Sequence, residues 1–429
     1  MSWIFLVIVL VMVVIFSFSF SKGKAPLRYL FYFWLICFHI GPRAIRYQGI
    51  PIFFVEGITW LLFFLYLFRE NFYFGYKKLF PRHTGVLFLI CALGIFMAIG
   101  SRIETTVIVT QVKVFLCLFP CFYITYIGFK FLDIKINTII LIFTIGAFIL
   151  AVVGVGSYFF PSIINLFPTG LTSGESVLIG TRQISVRVGE KIFLRGGGSM
   201  WASLIIAGYF GLLLFPIYIK GLLSRGKIKK ICYFGICILM LINIMINGHR
   251  SVYMGLLLGI AGYSKLKGFK GIFRGAIFLL IISMVIPEEV YLRFLSSSDP
   301  EAWAGRVGRF NFAWRSISAN PMFGGGWGYS GWVHNFILQL GADLGIIGLF
   351  VILLWLTKLF TSSLYIYKKN VCGEPLRSYL LSFLIGWLIF MGPMLAESAI
   401  TWPFMMIPFW FFCAVLHNFH NGNIGEDLL

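Results

Sequence analysis

The hydrophobic positions of this chain neither alternate nor form narrow stripes. They come in solid runs of 13–26 residues, most of them near the ~20 at which a helix crosses a hydrocarbon core, with 29–41 and 251–264 short. Taking each run as a helix predicts spans at roughly 2–20, 29–41, 52–68, 85–100, 106–126, 137–160, 199–219, 231–247, 251–264, 275–287, 334–359, 378–393 and 400–417. Backbone polar groups inside lipid must bond within their own segment, so runs of this kind predict helices. The expected fold is all-α: a polytopic helical membrane protein of about 12–13 transmembrane helices, one integral membrane domain over residues 1–429. The first run lacks a basic region before it and a small-residue cleavage site after it, so a retained span is expected in place of a cleaved signal peptide. Two polar stretches interrupt the pattern, 161–198 and 288–333. Connections this long within a compact bundle are usually functional. The second carries an amphipathic segment suited to a membrane surface.

Composition sharpens the class. Hydrophobic residues make up 59% of the 429 and charged residues only 12%, which excludes a soluble domain of this size. The formal net charge of +20 would suggest nucleic acid in a soluble protein. Here, basic cytoplasmic loops and anionic lipid account for most of it, and no nucleic-acid partner is expected. Seven of the eight cysteines fall in apolar runs and Cys372 in a loop, so neither disulfides nor a metal cluster is expected.

The distribution of charge is more telling than its sum. Nearly all the lysines fall in one set of loops, among them Lys22, Lys24, Lys77, Lys78, Lys130, Lys135, Lys227, Lys229, Lys230, Lys265, Lys267, Lys368 and Lys369. That side is expected to be cytoplasmic. The opposite side holds Arg43, Arg46, Arg102, Arg182, Arg187, Arg195, Arg250, Arg293, Arg306, Arg309 and Arg315, with Lys191 as its lysine. Orientation does not require this outer charge. It is almost all guanidinium, the group suited to bidentate grip on phosphate, and it points to a phosphorylated, lipid-linked substrate handled on the outer face. Aromatic residues lie between these arginines in the second stretch: Phe310, Phe312, Trp314, Phe323, Trp327 and Trp332. Their faces suit sugar rings.

His334 is the leading candidate for chemistry. It is expected to open the span 334–359, where the positive end of the helix favours a neutral imidazole fit to act as a base. Gly341, Gly345 and Gly348 share its helical face and permit close approach of a neighbouring helix or an acyl chain. Arg250 lies in the short hairpin Asn247-Gly248-His249-Arg250-Ser251, where an arginine is costly unless paired or wetted. His249 is a secondary acid/base candidate. Arg195 precedes Gly196-Gly197-Gly198, and Gly324-Gly325-Gly326 precedes Trp327; such runs let backbone N–H groups approach an anion. Asp343 is expected to pair with a polar neighbour such as Gln339. Glu397, in a short outer turn after Pro393, is placed to orient a histidine or an arginine. There is no Asp-x-Asp motif, so the expected chemistry needs no metal and no cofactor.

Four segments together resemble the O-antigen ligase and O-antigen polymerase superfamily: Gly305-Arg306, then Asn320-Pro321-Met322-Phe323-Gly324-x-Gly326, then His334-Asn335-x-x-Leu338-Gln339, then Asp343-Leu344-Gly345-x-x-Gly348. Asn247-Gly248-x-Arg250-Ser251 adds to the resemblance, whereas the first 190 residues match only in hydropathy. The resemblance implies a GT-C-type, all-helical membrane glycosyltransferase in the bacterial inner membrane, its site facing the periplasm. It implies an undecaprenyl-pyrophosphate-linked glycan donor and a glycan or lipid-linked acceptor, with no metal. His334 matches the general base. Arg250 and Arg306 match pyrophosphate-binding arginines, Arg306 fitting better than Arg309 in its spacing to Pro321. The family usually has glutamate at the place of Asp343, so no catalytic role is carried over to it.

Polymerisation of repeat units is the expected activity. Ligation of finished glycan to lipid A core or protein is the alternative, and a flippase or transporter of the same lipid is the alternative of another class. Single cysteines placed at Ser173 and Ser297 test the orientation. Both are expected to react with an impermeant maleimide in intact cells, and failure of both would overturn the assignment of 161–198 and 288–333 to the outer face.

Overall fold

The computed structural model describes residues 24–39, 44–47, 50–68, 81, 84–159, 185–188, 191–194, 203–247, 250–268, 300–331, 333–396, 403–425 and 428. The expected spans at 2–20 and 275–287 lie outside the described residues. The other apolar runs are helical: α1 (Lys24–Cys37), α2 (Phe54–Leu67), α3 (Thr84–Gly100), α4 (Thr105–Leu116), α5 (Leu118–Lys130), α6 (Ile136–Phe159), α7 (Ser203–Leu223), α8 (Lys227–Asn247), α9 (Arg250–Lys267), α10 (Pro300–Ala319), α11 (Phe336–Lys369), α12 (Glu374–Ala396) and α13 (Pro403–His420). Among the described residues, five helices are long and apolar enough to cross a membrane: Thr105–Lys130, Ile136–Gly156, Lys227–Ile246, Phe336–Lys369 and Glu374–Leu395. The first of these is one run but bends between α4 and α5 at Cys117. Pro120 has no N–H to give and its ring crowds the carbonyl four residues back, which accounts for the bend.

The expectation of an all-α chain holds except for two antiparallel hairpins. β1 (Ala44–Tyr47) pairs with β2 (Ile50–Phe53), Tyr47 opposite Ile50, and β3 (Ser185–Val188) pairs with β4 (Lys191–Leu194), Val188 opposite Lys191. Two residues link each pair, Gln48-Gly49 and Gly189-Glu190. A two-residue link with glycine is a hairpin signal, outweighed in the sequence by the apolar runs around it.

The helices pack around α7, α12 and α13. On α13, Phe409, Trp410, Phe411 and Phe412 are all buried, and Trp34 and Phe38 of α1 meet Phe411 edge-on at 5.7 and 5.9 Å. α9 and α12 approach closely enough to touch backbone to backbone. A Cβ at Gly255 would lie 2.0 Å from the Ile389 carbonyl oxygen, and one at Gly392 would lie 2.4 Å from that of Ser251. Small residues at a helix crossing gain contact that lipid cannot supply.

α11 is not one helix. Gly345 takes φ 69°, ψ −178°, a conformation essentially restricted to glycine, and splits it into a short first half ending at Leu344 and a long second half. A break strands backbone groups on both sides. The stretch 320–326 bonds them. Gly325 N–H donates to Ala342 O (2.9 Å) and Gly326 N–H to Asp343 O (2.8 Å). On the other side, Ile346 N–H donates to Pro321 O (2.8 Å) and Ile347 N–H to Met322 O (3.4 Å). The shared glycine face expected along α11 is therefore divided. A Cβ at Gly341 would meet Ile317 of α10, one at Gly348 would meet Ile90 of α3, and one at Gly345 would run into the Met322 carbonyl at 2.3 Å.

Two alanine substitutions separate these roles. Gly345→Ala is expected to destabilise the protein by ~1–3 kcal/mol from backbone conformation alone, more with the clash. At Gly341 the meeting atom is the tip of the Ile317 side chain at 3.0 Å, so Gly341→Ala is expected to change stability little. The thermal midpoint of purified protein in detergent reads both. Equal midpoints for the two variants would show that the break at Gly345 is not fixed.

Candidate functional site

The site is built by α10 lying across the first half of α11. α10 packs Phe310, Ala313 and Ile317 against Leu338, Ala342 and Val333, forming a small apolar cluster separate from the main core. Ala313 is fully buried there. Arg309 stands four residues before Ala313 and Arg306 seven, so helical periodicity puts both on this inward face. Arg315 falls on the opposite face and is exposed. Phe312, Trp314 and Val307 are exposed along the flanks.

Arg309 and His334 meet directly, Arg309 Nη1 lying 2.5 Å from His334 Nε2. A guanidinium has no acceptor, so it donates here. A hydrogen bond in this contact therefore has Nε2 as the acceptor. His334 does not open the helix as expected. α11 starts at Phe336 with Asn335 as its cap, and His334 precedes the cap in the left-handed region at φ 58°. This conformation costs a residue with a Cβ ~1–2 kcal/mol, so its neighbours must hold it. Asn335 does part of this. Its side chain accepts from Leu338 N–H at 2.9 Å and donates through Nδ2 to the Leu395 carbonyl of α12 at 2.7 Å.

The preceding turn is anchored just as firmly. Trp327 is fully buried in α3 and α4, its backbone N–H on Gly94 O (3.1 Å), its indole N–H on Cys91 O (3.1 Å) and its ring 5.4 Å from Phe115. It is an anchor and not a sugar platform. Tyr329 stacks on Phe312 of α10 at 6.3 Å. The run Gly324-Gly325-Gly326 is not an open anion cradle either, because its N–H groups all donate to carbonyls: Asn320, Ala342 and Asp343.

Asp343 is fully buried; Ser330 donates to it, and the Gly328 N–H and the expected partner Gln339 also interact with its carboxyl group. Its Oδ1 accepts from Ser330 N–H at 2.9 Å and from Ser330 Oγ at 2.7 Å. Neither Oδ2 nor the amide of Gln339, one turn earlier on the same helix, makes a hydrogen bond of normal geometry among the described residues. Ser330 carries no signal in sequence beyond a small polar residue near glycines.

The remaining expected site residues are placed in part. Arg250 is the first residue of α9; its side chain lies outside the described residues. Its neighbour Ser251 abuts Gly392 of α12, three residues before Leu395, which holds Asn335. The start of α9 and the His334 turn therefore share one end of the bundle. Arg195, His249 and Glu397 lie outside the described residues. Sequence reasoning also missed a buried ion pair, Lys113 Nζ to Glu56 Oε2 at 2.8 Å, joining α4 to the start of α2. Glu56 additionally accepts the N–H of Phe53 at 3.3 Å.

Compared with protein-family models and with curated protein sequences, the chain matches none.

The two tryptophans of this region should respond differently to truncation. Trp327→Ala is expected to cost ~3–5 kcal/mol, as core aromatics do. Trp314→Ala, 64% exposed in the wild type, is expected to leave the thermal midpoint in detergent unchanged. Equal midpoints would mean that the turn does not dock on α3.

Proposed function

We propose that this chain is a metal-independent membrane glycosyltransferase that polymerises undecaprenyl-pyrophosphate-linked oligosaccharide repeat units on the outer face of the cytoplasmic membrane. The observation that carries this reading is the inward face of α10, which presents two arginines to one end of the bundle and sets one of them against His334 Nε2. The segments that resemble the O-antigen polymerase and ligase superfamily are the ones that build this arrangement.

The chemistry follows from the residue types. The acceptor hydroxyl attacks the anomeric carbon of the donor glycan as the bond from that carbon to the pyrophosphate oxygen breaks. His334 takes the hydroxyl proton through Nε2. The electron pair of the broken bond leaves with the pyrophosphate. Charge grows on the phosphates during this step, so arginines fixed beside them stabilise the transition state more than the ground state. Arg306 and Arg309 on α10 and Arg250 at the start of α9 supply that charge. A guanidinium resting on Nε2 turns to the stronger acceptor when a pyrophosphate arrives, which frees the basic nitrogen. Single displacement inverts the anomeric carbon.

The break in α11 beside the buried Asp343 favours a second reading, a transporter of the same lipid, because discontinuous helices with an ionisable group at the break mark transport sites. Bonding of both broken ends by residues 320–326 supports a fixed scaffold over a moving gate.

Purified protein with a lipid-linked glycan donor and a defined acceptor tests the reading. His334→Ala is expected to lower the rate by about 10²–10⁴ while leaving the protein folded. Arg250→Lys and Arg306→Lys are expected to lose most activity, since lysine keeps the charge but not the planar fork. Full activity in His334→Ala would exclude it as the base. Movement of the lipid across vesicles without glycan transfer would favour the transporter. In a deletion strain, glycan caps of a single repeat support polymerisation, whereas uncapped lipid A core indicates ligation.

A further inference from the structure

We infer that Asp343 is the positioning residue of this site, acting through Ser330 to fix the turn that holds His334 against Arg309. The inference rests on the glycosyl-transfer reading for its activity test and on geometry alone for its structural test.

Asp343 grips the turn at both ends. Its main-chain carbonyl accepts Gly326 N–H at 2.8 Å, and its carboxylate Oδ1 accepts both Ser330 N–H and Ser330 Oγ, at 2.9 and 2.7 Å. Between those points the chain closes on itself, Tyr329 N–H donating to Gly326 O at 3.1 Å and Gly331 N–H to Gly328 O at 3.2 Å. Four residues beyond Ser330 comes His334, and at Asn335 the chain is pinned again by the Leu338 N–H and the Leu395 carbonyl. His334 is therefore suspended between two clamps. A left-handed residue that is not glycine needs such support, because nothing in its own conformation favours it.

The side-chain type is also constrained. One oxygen must accept two hydrogen bonds from the same serine in a buried place, and a carboxyl or carboxamide oxygen does so with its two lone pairs. An aspartate keeps that oxygen close to its own helix. Asp343 is fully buried, whereas Arg309 and His334 are not. Among the described residues its partners are Ser330, Gly328 and Gln339, and not the arginines. Its influence on the site thus passes through the turn.

Asp343→Asn, Asp343→Ala and Ser330→Ala test this, with donor KM and kcat measured separately. In Asp343→Ala, kcat is expected to fall about 10–100-fold, in line with the cost of misplacing a catalytic group by about 1 Å, while donor KM stays within about twofold. Asp343→Asn retains the accepting oxygen and is expected to recover activity to within about threefold of wild type. Ser330→Ala retains one of the two bonds and is expected to fall between them; it carries the test if Asp343→Ala does not fold. Hydrogen–deuterium exchange of the peptide spanning 326–338 is expected to quicken in Asp343→Ala and not in Asp343→Asn. Unchanged kcat in a folded Asp343→Ala overturns the inference and leaves the glycosyltransferase reading intact. So does an Asp343→Asn variant as inactive as Asp343→Ala, which would mean that the charge itself is needed. If wild-type protein transfers no glycan, that reading fails, and the exchange result alone decides the positioning role.

Discussion

Backbone groups stranded by the break at Gly345 must find partners away from water, and the chain between α10 and α11 is shaped to provide them. Two carbonyls from the short half of α11 and two N–H groups from the long half bond to residues 321–326. Each unmet group would cost on the order of 1–3 kcal/mol, so the break and the turn stabilise each other or fail together. The other features of the site follow from this pairing. It places Trp327 in the notch of α3 at Gly94, leads the chain round to Ser330 under Asp343, and delivers His334 opposite the inward face of α10.

Much of this was legible in the sequence. The apolar runs located most helices to within about five residues, because long hydrophobic runs leave few other structures open to a backbone; α11, expected to end at 359, runs on to Lys369, and the expected span 106–126 is two helices, α4 and α5. Arg306, Arg309 and His334 were identifiable by type and spacing, and the fold brings the last two into contact. The break in α11 was not legible: Gly345 lies in an apolar run among other glycines, and only the carbonyl of Met322 against its Cα shows why a Cβ is excluded. The same holds for Asp343. Spacing along the helix pointed to Gln339, which does interact with it, but Ser330, brought in by a turn far from it in spacing, could not be foreseen. Trp327 was misread for a general reason. An aromatic beside arginines in a polar stretch has the same signature whether it faces a ligand or anchors the stretch.

The charges divide by depth as well as by side. Arg309 and Arg306 stand at the rim, on a helix that is only half covered. Lys113 and Glu56 are paired and nearly sealed, at 14% and 4% side-chain exposure. A sealed pair adds little net stability over apolar packing but is costly to break, so it acts as a fixed register between α2 and α4. The same kind of charge is therefore framework in one place and surface in the other.

The indole of Trp327 bonds to a carbonyl 236 residues earlier in the chain. A ribosome releases α3 long before the tryptophan that fills its notch exists. During that interval the narrow cleft at Cys91 and Gly94 stands open to lipid, and neither clamp around His334 has formed. α11, α12 and α13 are themselves still to come when Trp327 emerges, and the clamps at Asp343 and Leu395 form only with them. The segment at 320–335 is therefore fixed only when helices made before it and helices made after it are both present.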